Sequence, residues 1–396
     1  MRYYINEINK AGTVAVDDTI LVKDVPATAG SKMLESFKPL FSAEAVERLE
    51  KSGYAVSGKT NVGEFGFDLV GETSHFADYA DETSLKGAAA ELVKNKNIKA
   101  ALSVDLNGAP RRAAALSGVD FIKPTYGTVS RYGVIACACS GEQIGVTAAD
   151  AEGVKEILSV IAGHDSKDGT SLPEEKYEYT LDEDVSAMKI CLVTELYDKA
   201  SDEVKSKLDS YVKMLESKGA KVDRISLDVV FAAQTAWQIL MSAESCNNLS
   251  RFDGVKYGYR SAEYKNIDEL YVKSRTEAFS FLTKANIIYG SDVLAKDKYE
   301  SCYDKSLRIR RVVLTKVKEL LASYDAIIMP VCSKLSFEPY DTKDAFTKVF
   351  DESLYTAVAS ITGLPAMVSG GVQLVADSFK ESTLLSIAHC AEKEGA

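Results

Sequence analysis

The chain has 396 residues, 46% of them apolar and 27% charged, enough for one large or two ordinary folded domains with a well-buried core. Its 47 basic and 58 acidic residues leave a net charge of −11, which excludes the broad basic surface that gripping a nucleic-acid backbone requires. No apolar run reaches bilayer-crossing length and the opening MRYYINEINK has no signal-peptide apolar region, so a cytoplasmic protein with no membrane contact is expected.

Seven cysteines, scattered singly apart from Cys137 and Cys139, read as reduced thiols. The single residue between those two is the wrong spacing for a CxxC redox or zinc half-site. His75, His164 and His389 lie far apart in the chain. No metal and no cofactor is expected.

Taken in order, residues 13–22 (TVAVDDTILV) are β-branched and apolar, with an acidic break at Asp17 and Asp18. An amphipathic helix is predicted over 43–52 and a strand from Tyr54 to Ser57. Lys86 to Lys94 has helical composition with Ser84 as the predicted N-cap, and Ile98 to Val104 reads as a strand. Pro110 opens a helix well, because its missing N–H has no partner there anyway. Phe121 to Gly145 carries two apolar runs punctuated by Pro124, Gly127 and Gly133, the pattern of extended segments joined by a tight turn. Ala148 to Ala162 follows as a helix ended by Gly163. The stretch 170–185 (SLPEEKYEYTLDED at its centre) is polar and acidic, the best internal boundary. A βαβ unit comes next: MKICLV, then Val204, Leu208, Val212 and Leu215 at helical spacing, then KVDRISL. Residues 230–323 are largely helical, with Phe231, Trp237, Leu240 and Met241 as an early apolar face. Ala326 to Val331 is a buried strand, Ala366 to Val375 holds two extended pieces, and Thr383 to Ala391 is a closing helix. Strands alternating with helices predict an α/β sheet flanked by helices.

The order of residues in FIKPTYGTVSRYGVIACACSGEQIG, Phe121 to Gly145, resembles the amidase-signature enzymes, and within them the A subunit of the tRNA-dependent amidotransferases. SKMLESF (Ser31 to Phe37), AVERLEKSGYAVSGKTNVGEF (Ala45 to Phe65), VIAGHDSKDGTS (Val160 to Ser171), NNLSRFDGVKYGYR (Asn247 to Arg260) and TGLPA (Thr362 to Ala366) extend that resemblance over nearly the whole chain. It implies the amidase-signature fold, a mixed central β-sheet with helices on both faces, in a single domain over 1–396 with a possible subdomain break near 170–185. It also implies release of ammonia from glutamine for amidating glutamyl-tRNA(Gln) or aspartyl-tRNA(Asn), beside B and C subunits, with the tRNA held by one of those. Against the family, the chain has a short segment before residue 13 and skips a loop between Met367 and Gly371.

The family's chemistry uses a neutral lysine, a serine held by a cis peptide bond, a nucleophilic serine and backbone N–H groups that hold the oxyanion. Counted without gaps from SKMLESF, the lysine's place falls on Asp17; Lys23 in LVKD is a rival that needs a deletion. A carboxylate there would repel the alkoxide being formed. The relay serine's place falls on Leu85 in Thr83 to Ala89, with Ser84 one residue away and three of the family's four loop glycines missing. The nucleophile's place is Ala109, ending VDLNGA, where Asp105, Gly108 and Arg111 match the family, the resemblance implying substrate binding for Asp105 and Gly108, and Ser103 is a nearby hydroxyl. Arg310 matches an arginine that holds the substrate α-carboxylate, or is a surface helix arginine; Tyr259 lies in a pocket-lining segment, or packs as a buried tyrosine. Ser353 replaces an aspartate that helps hold the substrate amine.

Losing base, relay and nucleophile together points to a degenerate homologue of the A subunit that does not hydrolyse glutamine. Such a chain is expected to act as a structural or regulatory partner of B or C subunit equivalents, or of a true A subunit. Two rivals stand beside it: an active glutamine amidohydrolase subunit or small-amide hydrolase rewired on Lys23, Ser84 or Ser103, and a non-catalytic module that binds an amide or amino acid.

Overall fold

The computed structural model describes residues 3–69, 73–76, 87–174, 176–182, 184–336 and 340–395. The strands of its first half are β1 (Tyr4–Glu7), β2 (Val14–Asp17), β3 (Val56–Thr60), β4 (Ala100–Asp105), β5 (Asp120–Lys123) and β6 (Gln143–Ala148). Those of the second half are β7 (Lys189–Val193), β8 (Lys221–Ile225), β9 (Ala326–Met329), β10 (Ala366–Ser369) and β11 (Val372–Val375). Together they make one mixed sheet in the order β1-β3-β2-β4-β6-β5-β10-β11-β9-β7-β8. The C-terminal hairpin is what joins the halves: β10 pairs antiparallel with β5, and β11 pairs antiparallel with β9. The polar stretch 170–185 therefore does not interrupt the sheet, and its backbone runs along the last helix, Thr180 N–H donating to Ser382 Oγ at 3.0 Å and Asp182 N–H to Ser386 Oγ at 2.8 Å.

The helices are α1 (Glu44–Lys51), α2 (Ala88–Lys94), α3 (Ala109–Ser117), α4 (Ala151–Ile161), α5 (Thr194–Lys199), α6 (Asp202–Ser217) and α7 (Val229–Leu249), followed by α8 (Ile267–Ala278), α9 (Phe281–Val293), α10 (Lys305–Leu321), α11 (Ala345–Ser353), α12 (Ala357–Thr362) and α13 (Glu381–Lys393). They cover both faces of the sheet, and alternation along β5 shows how. Asp120 faces α13, where Glu392 lies beside it, while Lys123 faces the α3 side and the Arg111 guanidinium. Because both faces are covered, the central strands present no solvent face and are largely apolar: β2 is buried at every position, and Ile190 to Val193 of β7 are fully buried.

Several local expectations shift. The strand predicted at Tyr54 to Ser57 runs from Val56 to Thr60, because Lys59 and Thr60 are buried polar residues paired to the loop after β2. Helix α2 begins at Ala88, with Gly87 at φ +84° before it; Ser84, the expected N-cap, and Leu85 lie outside the described residues. Helix α4 starts at Ala151, since the strand before it continues to Ala148 and Asp150 takes the cap, its side chain accepting from Gly153 N–H. Trp237, Leu240 and Met241 are buried on α7, but Phe231 is 41% exposed and does not share their face. Pro110 stands in the first turn of α3 as expected. Between β10 and β11 the turn is two glycines, Gly370 and Gly371, with φ of +58° and +81°; successive positive φ values make a tight two-residue hairpin connection. Among the described residues no helix is long and apolar enough to cross a membrane.

Candidate functional site

The site is built where β2 ends beside β4. The two strands run parallel in a register that pairs Val16 with Leu102, so the next side chain, Asp17, reaches the following residues of β4. Its Oδ1 accepts from Thr60 Oγ1 at 2.8 Å and from Ser103 Oγ at 3.1 Å, and its Oδ2 accepts from Val104 N–H at 3.0 Å. Burial pushes the Asp17 carboxyl up to about 7, against the opposing pull of those three donors and of the Lys59 charge. Lys23, the rival for the lysine's place, is solvent-exposed on the loop beyond the strand, with its backbone N–H donating to Ser42 Oγ at 3.0 Å.

The buried amine in this region is one that the sequence did not single out. Lys59 on β3 is 0% exposed; its Nζ donates to Asp18 O at 3.3 Å and to Ile20 O, and sits 3.6 Å from Asp18 Oδ1. Asp18 is also anchored by Thr28, whose N–H donates to Oδ2 at 2.7 Å. Burial lowers Lys59 below the ordinary lysine range and raises Asp18 above the ordinary carboxyl range. The ammonium is thus occupied by two carbonyls and a carboxylate, fixing the loop that follows β2. The signal that could have found it is a lone lysine between β-branched and small residues in VSGKT, a strand with no solvent face.

One strand further, β4 turns into α3 through Asp105, Leu106, Asn107 and Gly108. Asp105 and Arg111 form a two-pronged ion pair at full burial, Nε to Oδ2 at 2.6 Å and Nη2 to Oδ1 at 3.1 Å. Arg111 also donates to Thr356 O at 3.0 Å, Gln373 Oε1 at 2.6 Å and Ser360 Oγ at 2.8 Å, tying the turn to α12 and β11. Gly108 has φ +95°, donates its N–H to Asp105 Oδ1 at 3.0 Å, and lies so close to Thr356 that an added Cβ would stand 2.4 Å from that side chain. A glycine is required there on both counts. Asp105 and Gly108, read from the resemblance as substrate-binding, therefore direct their polar groups to each other and to Arg111. Ala109, first residue of α3, contributes a methyl.

Lys123 is a second buried amine of the same kind. It is 2% exposed on β5, donates to Leu364 O at 2.5 Å, and is held down to about 7 by burial and then by the Arg111 charge. The apolar strand FIK ending at Pro124 is its only sequence signal.

The outer residues are placed differently. Trp237 links them to the turn: its Nε1 donates to Asn107 Oδ1 at 3.1 Å, and its ring lies against Gly141, where a Cβ would meet Cη2 at 2.0 Å. Next to Gly141, Ser140 accepts from Arg310, Nη1 to Oγ at 3.1 Å and Nη2 to the carbonyl at 2.9 Å, while its own N–H donates to Glu244 Oε2 at 2.9 Å. Arg310 is accordingly a partly buried brace for this loop. Tyr259 donates to Glu277 Oε2 at 2.7 Å and lies under Lys32 Nζ, 4.0 Å from the ring centre. Ser353 is buried and donates to Phe350 O at 2.7 Å. The structure brings Asp17 and Ser103 together across adjacent strands, and Asp105 together with Gly108 and Arg111 at the β4–α3 turn; Lys23 and Tyr259 are held elsewhere by other partners.

Chemically, Ser103 Oγ beside the Asp17 carboxyl is a hydroxyl–acid pair, but the serine is only 2% exposed. The described residues put a carboxyl, not an amine, against β4, and a methyl at the head of α3.

Comparison with known proteins places this arrangement. The amidase family model matches residues 13–385. The glutamyl-tRNA(Gln) amidotransferase A subunit of Lachnospira eligens is 36% identical over 96% of this chain and 83% of its own length. That of Thiobacillus denitrificans is 37% identical over 91% of this chain and 79% of its own. Among solved structures, the glutamyl-tRNA(Gln) amidotransferase A subunit of Thermotoga maritima superposes with a TM-score of 0.81 at 27% identity, covering 99% of this chain and 87% of that one. A 6-aminohexanoate cyclic dimer hydrolase shares the fold at a TM-score of 0.79 and 17% identity, over 98% of this chain and 86% of its own.

Proposed function

This chain belongs to the amidase family, and we propose that it is an A-subunit homologue whose hydrolytic site has been emptied, serving as a structural or regulatory partner of other amidotransferase subunits. One observation carries the reading: the side chain that β2 delivers against β4 is Asp17, held by Thr60, Ser103 and Val104 N–H. A general base for serine chemistry must accept a proton and then tolerate the alkoxide beside it. A carboxylate in that position adds like-sign repulsion to the developing charge. At the head of α3, the Ala109 methyl offers no atom to form an acyl intermediate. Members of such a catalytic unit act together, so losing one removes nearly all of the covalent acceleration.

Beside Ala109, the residues that match the family, Asp105, Gly108 and Arg111, form one packed unit braced to α12 and β11. Keeping architecture while discarding chemistry fits a chain kept for what it touches. Partners would be B or C subunit equivalents, or an intact A subunit, in the cytoplasm, with tRNA contacts made by one of those because this chain is acidic overall.

A second reading rests on the Ser103–Asp17 contact at 3.1 Å: a serine activated by an acid of near-neutral affinity could hydrolyse a small amide. Ammonia release from glutamine and from simple amides, measured with the chain alone and with B and C subunits of a relative, separates the two. No release above buffer supports the emptied site. Release abolished by Ser103→Ala establishes the rival.

A further inference from the structure

On the face of the sheet away from α3 lies a second group of acids, the buried Asp120 and the partly buried Glu392, unconnected to the site above. Asp120 begins β5 and is 4% exposed; its Oδ2 is buried with no donor. Beside it, within hydrogen-bonding reach, is the carboxyl of Glu392 on α13, whose Oε1 accepts from Ala151 N–H at 2.7 Å, so α13 is also bound to the start of α4. Ionised carboxylates only accept, and two of them cannot bond to each other; one must carry a proton. The groups facing the pair do not supply a substitute. Ser369 on β10 lies near both Asp120 and Tyr211, Asp150 before α4 adds negative charge, and the Tyr211 hydroxyl from α6 is buried with no hydrogen-bond partner among the described residues. On α13 itself, Cys390 lies near Tyr211, and His389 Nδ1 stands 3.9 Å from Glu392 Oε2, beyond a hydrogen bond.

We propose that Asp120 and Glu392 share one proton that fastens the C-terminal helix to β5 and α4, a latch that loosens as pH rises. Burial, followed by the Glu392 carboxyl, holds Asp120 well above the usual carboxyl range. The sign follows: a folded-state affinity raised above the unfolded value of about 4 stabilises fully below that pH, and the stabilisation is lost as pH rises through the folded value.

The test is hydrogen–deuterium exchange of residues 381–393, corrected for intrinsic exchange, with thermal melting, from pH 5.5 to 9 on the full chain. Wild type should lose protection in α13 about tenfold or more across that range. Asp120→Asn places a permanent donor against Glu392 and should flatten the dependence; Glu392→Gln should do the same from the other side and serves if the first variant fails to fold. His389→Gln should keep the wild-type slope. An unchanged slope in both amide variants, or its disappearance in His389→Gln, overturns the proposal.

Discussion

Arg111→Met is the sharpest probe of how the 105–108 turn is held. The substitution keeps most of the side-chain volume but removes five hydrogen bonds, two of them to Asp105, at a position with no solvent exposure. Asp105 would be left as a buried, uncompensated carboxylate, retaining only the Gly108 N–H. Breaking one side of such a pair costs about 3–5 kcal/mol. With an unfolding entropy of about 2.1 cal/mol/K per residue over 396 residues, that is a fall in Tm of about 4–6 °C. Differential scanning fluorimetry gives the shift. The single tryptophan, Trp237, reports the turn separately through its bond to Asn107. Asp105→Leu in the same background should recover about 1–3 kcal/mol, because the stranded charge disappears with its partner. A cost within about 1 kcal/mol, the range of an exposed pair, or strictly additive single and double variants, would refute the reasoning.

Asp17→Asn should change the pH dependence of stability. Wild-type Asp17 titrates at about 7 in the folded protein against an unfolded value of about 4, so its contribution declines as pH rises from 4 to 7 and is level beyond. The Tm difference between variant and wild type should therefore move in the variant's favour from pH 5 to 8, read by thermal melts; a constant difference contradicts the assignment. Gly141→Ala would force a methyl into the Trp237 ring, costing about 1–3 kcal/mol and shifting tryptophan emission to longer wavelength; an unchanged spectrum contradicts the packing. Lys59→Met leaves Asp18 without its cation in full burial and should destabilise by about 3–5 kcal/mol, measured as a lower denaturation midpoint.

Much of the architecture was legible because it rests on period and punctuation. Buried runs such as ICLV in β7 and AIIM in β9 declare themselves by apolarity, and Pro110 and Gly163 mark their helix ends by backbone chemistry. Counting from SKMLESF without gaps assigns Asp17 to the lysine's place; the β2–β4 register sets its carboxyl against Ser103 and Val104, and Lys23 lies exposed on the loop beyond. What stayed hidden depends on partners distant in sequence. Lys59 and Lys123 look like ordinary surface lysines until the sheet closes over them, and Asp120 meets Glu392 only when the C-terminal helix docks. Arg310 is read from the resemblance or as a surface helix residue; its partner Ser140 comes from another segment, which Glu244 of α7 holds in turn. Phe231 is assigned inward by spacing, yet in the first turn of α7 it is Val230 that is fully buried, and Phe231 is 41% exposed.

If the hydrolytic site is empty, no residue of this chain can form an acyl-enzyme, and intact-mass spectrometry asks that question of the folded protein. The chain is incubated with a glutamine-like electrophile that alkylates or acylates amidase nucleophiles, beside an intact A subunit as control. Adduct on the control and an unchanged mass for this chain, with and without partner subunits, are predicted. A stoichiometric adduct mapped to a hydroxyl beside the 105–109 turn, Ser103 above all, would contradict the emptied site.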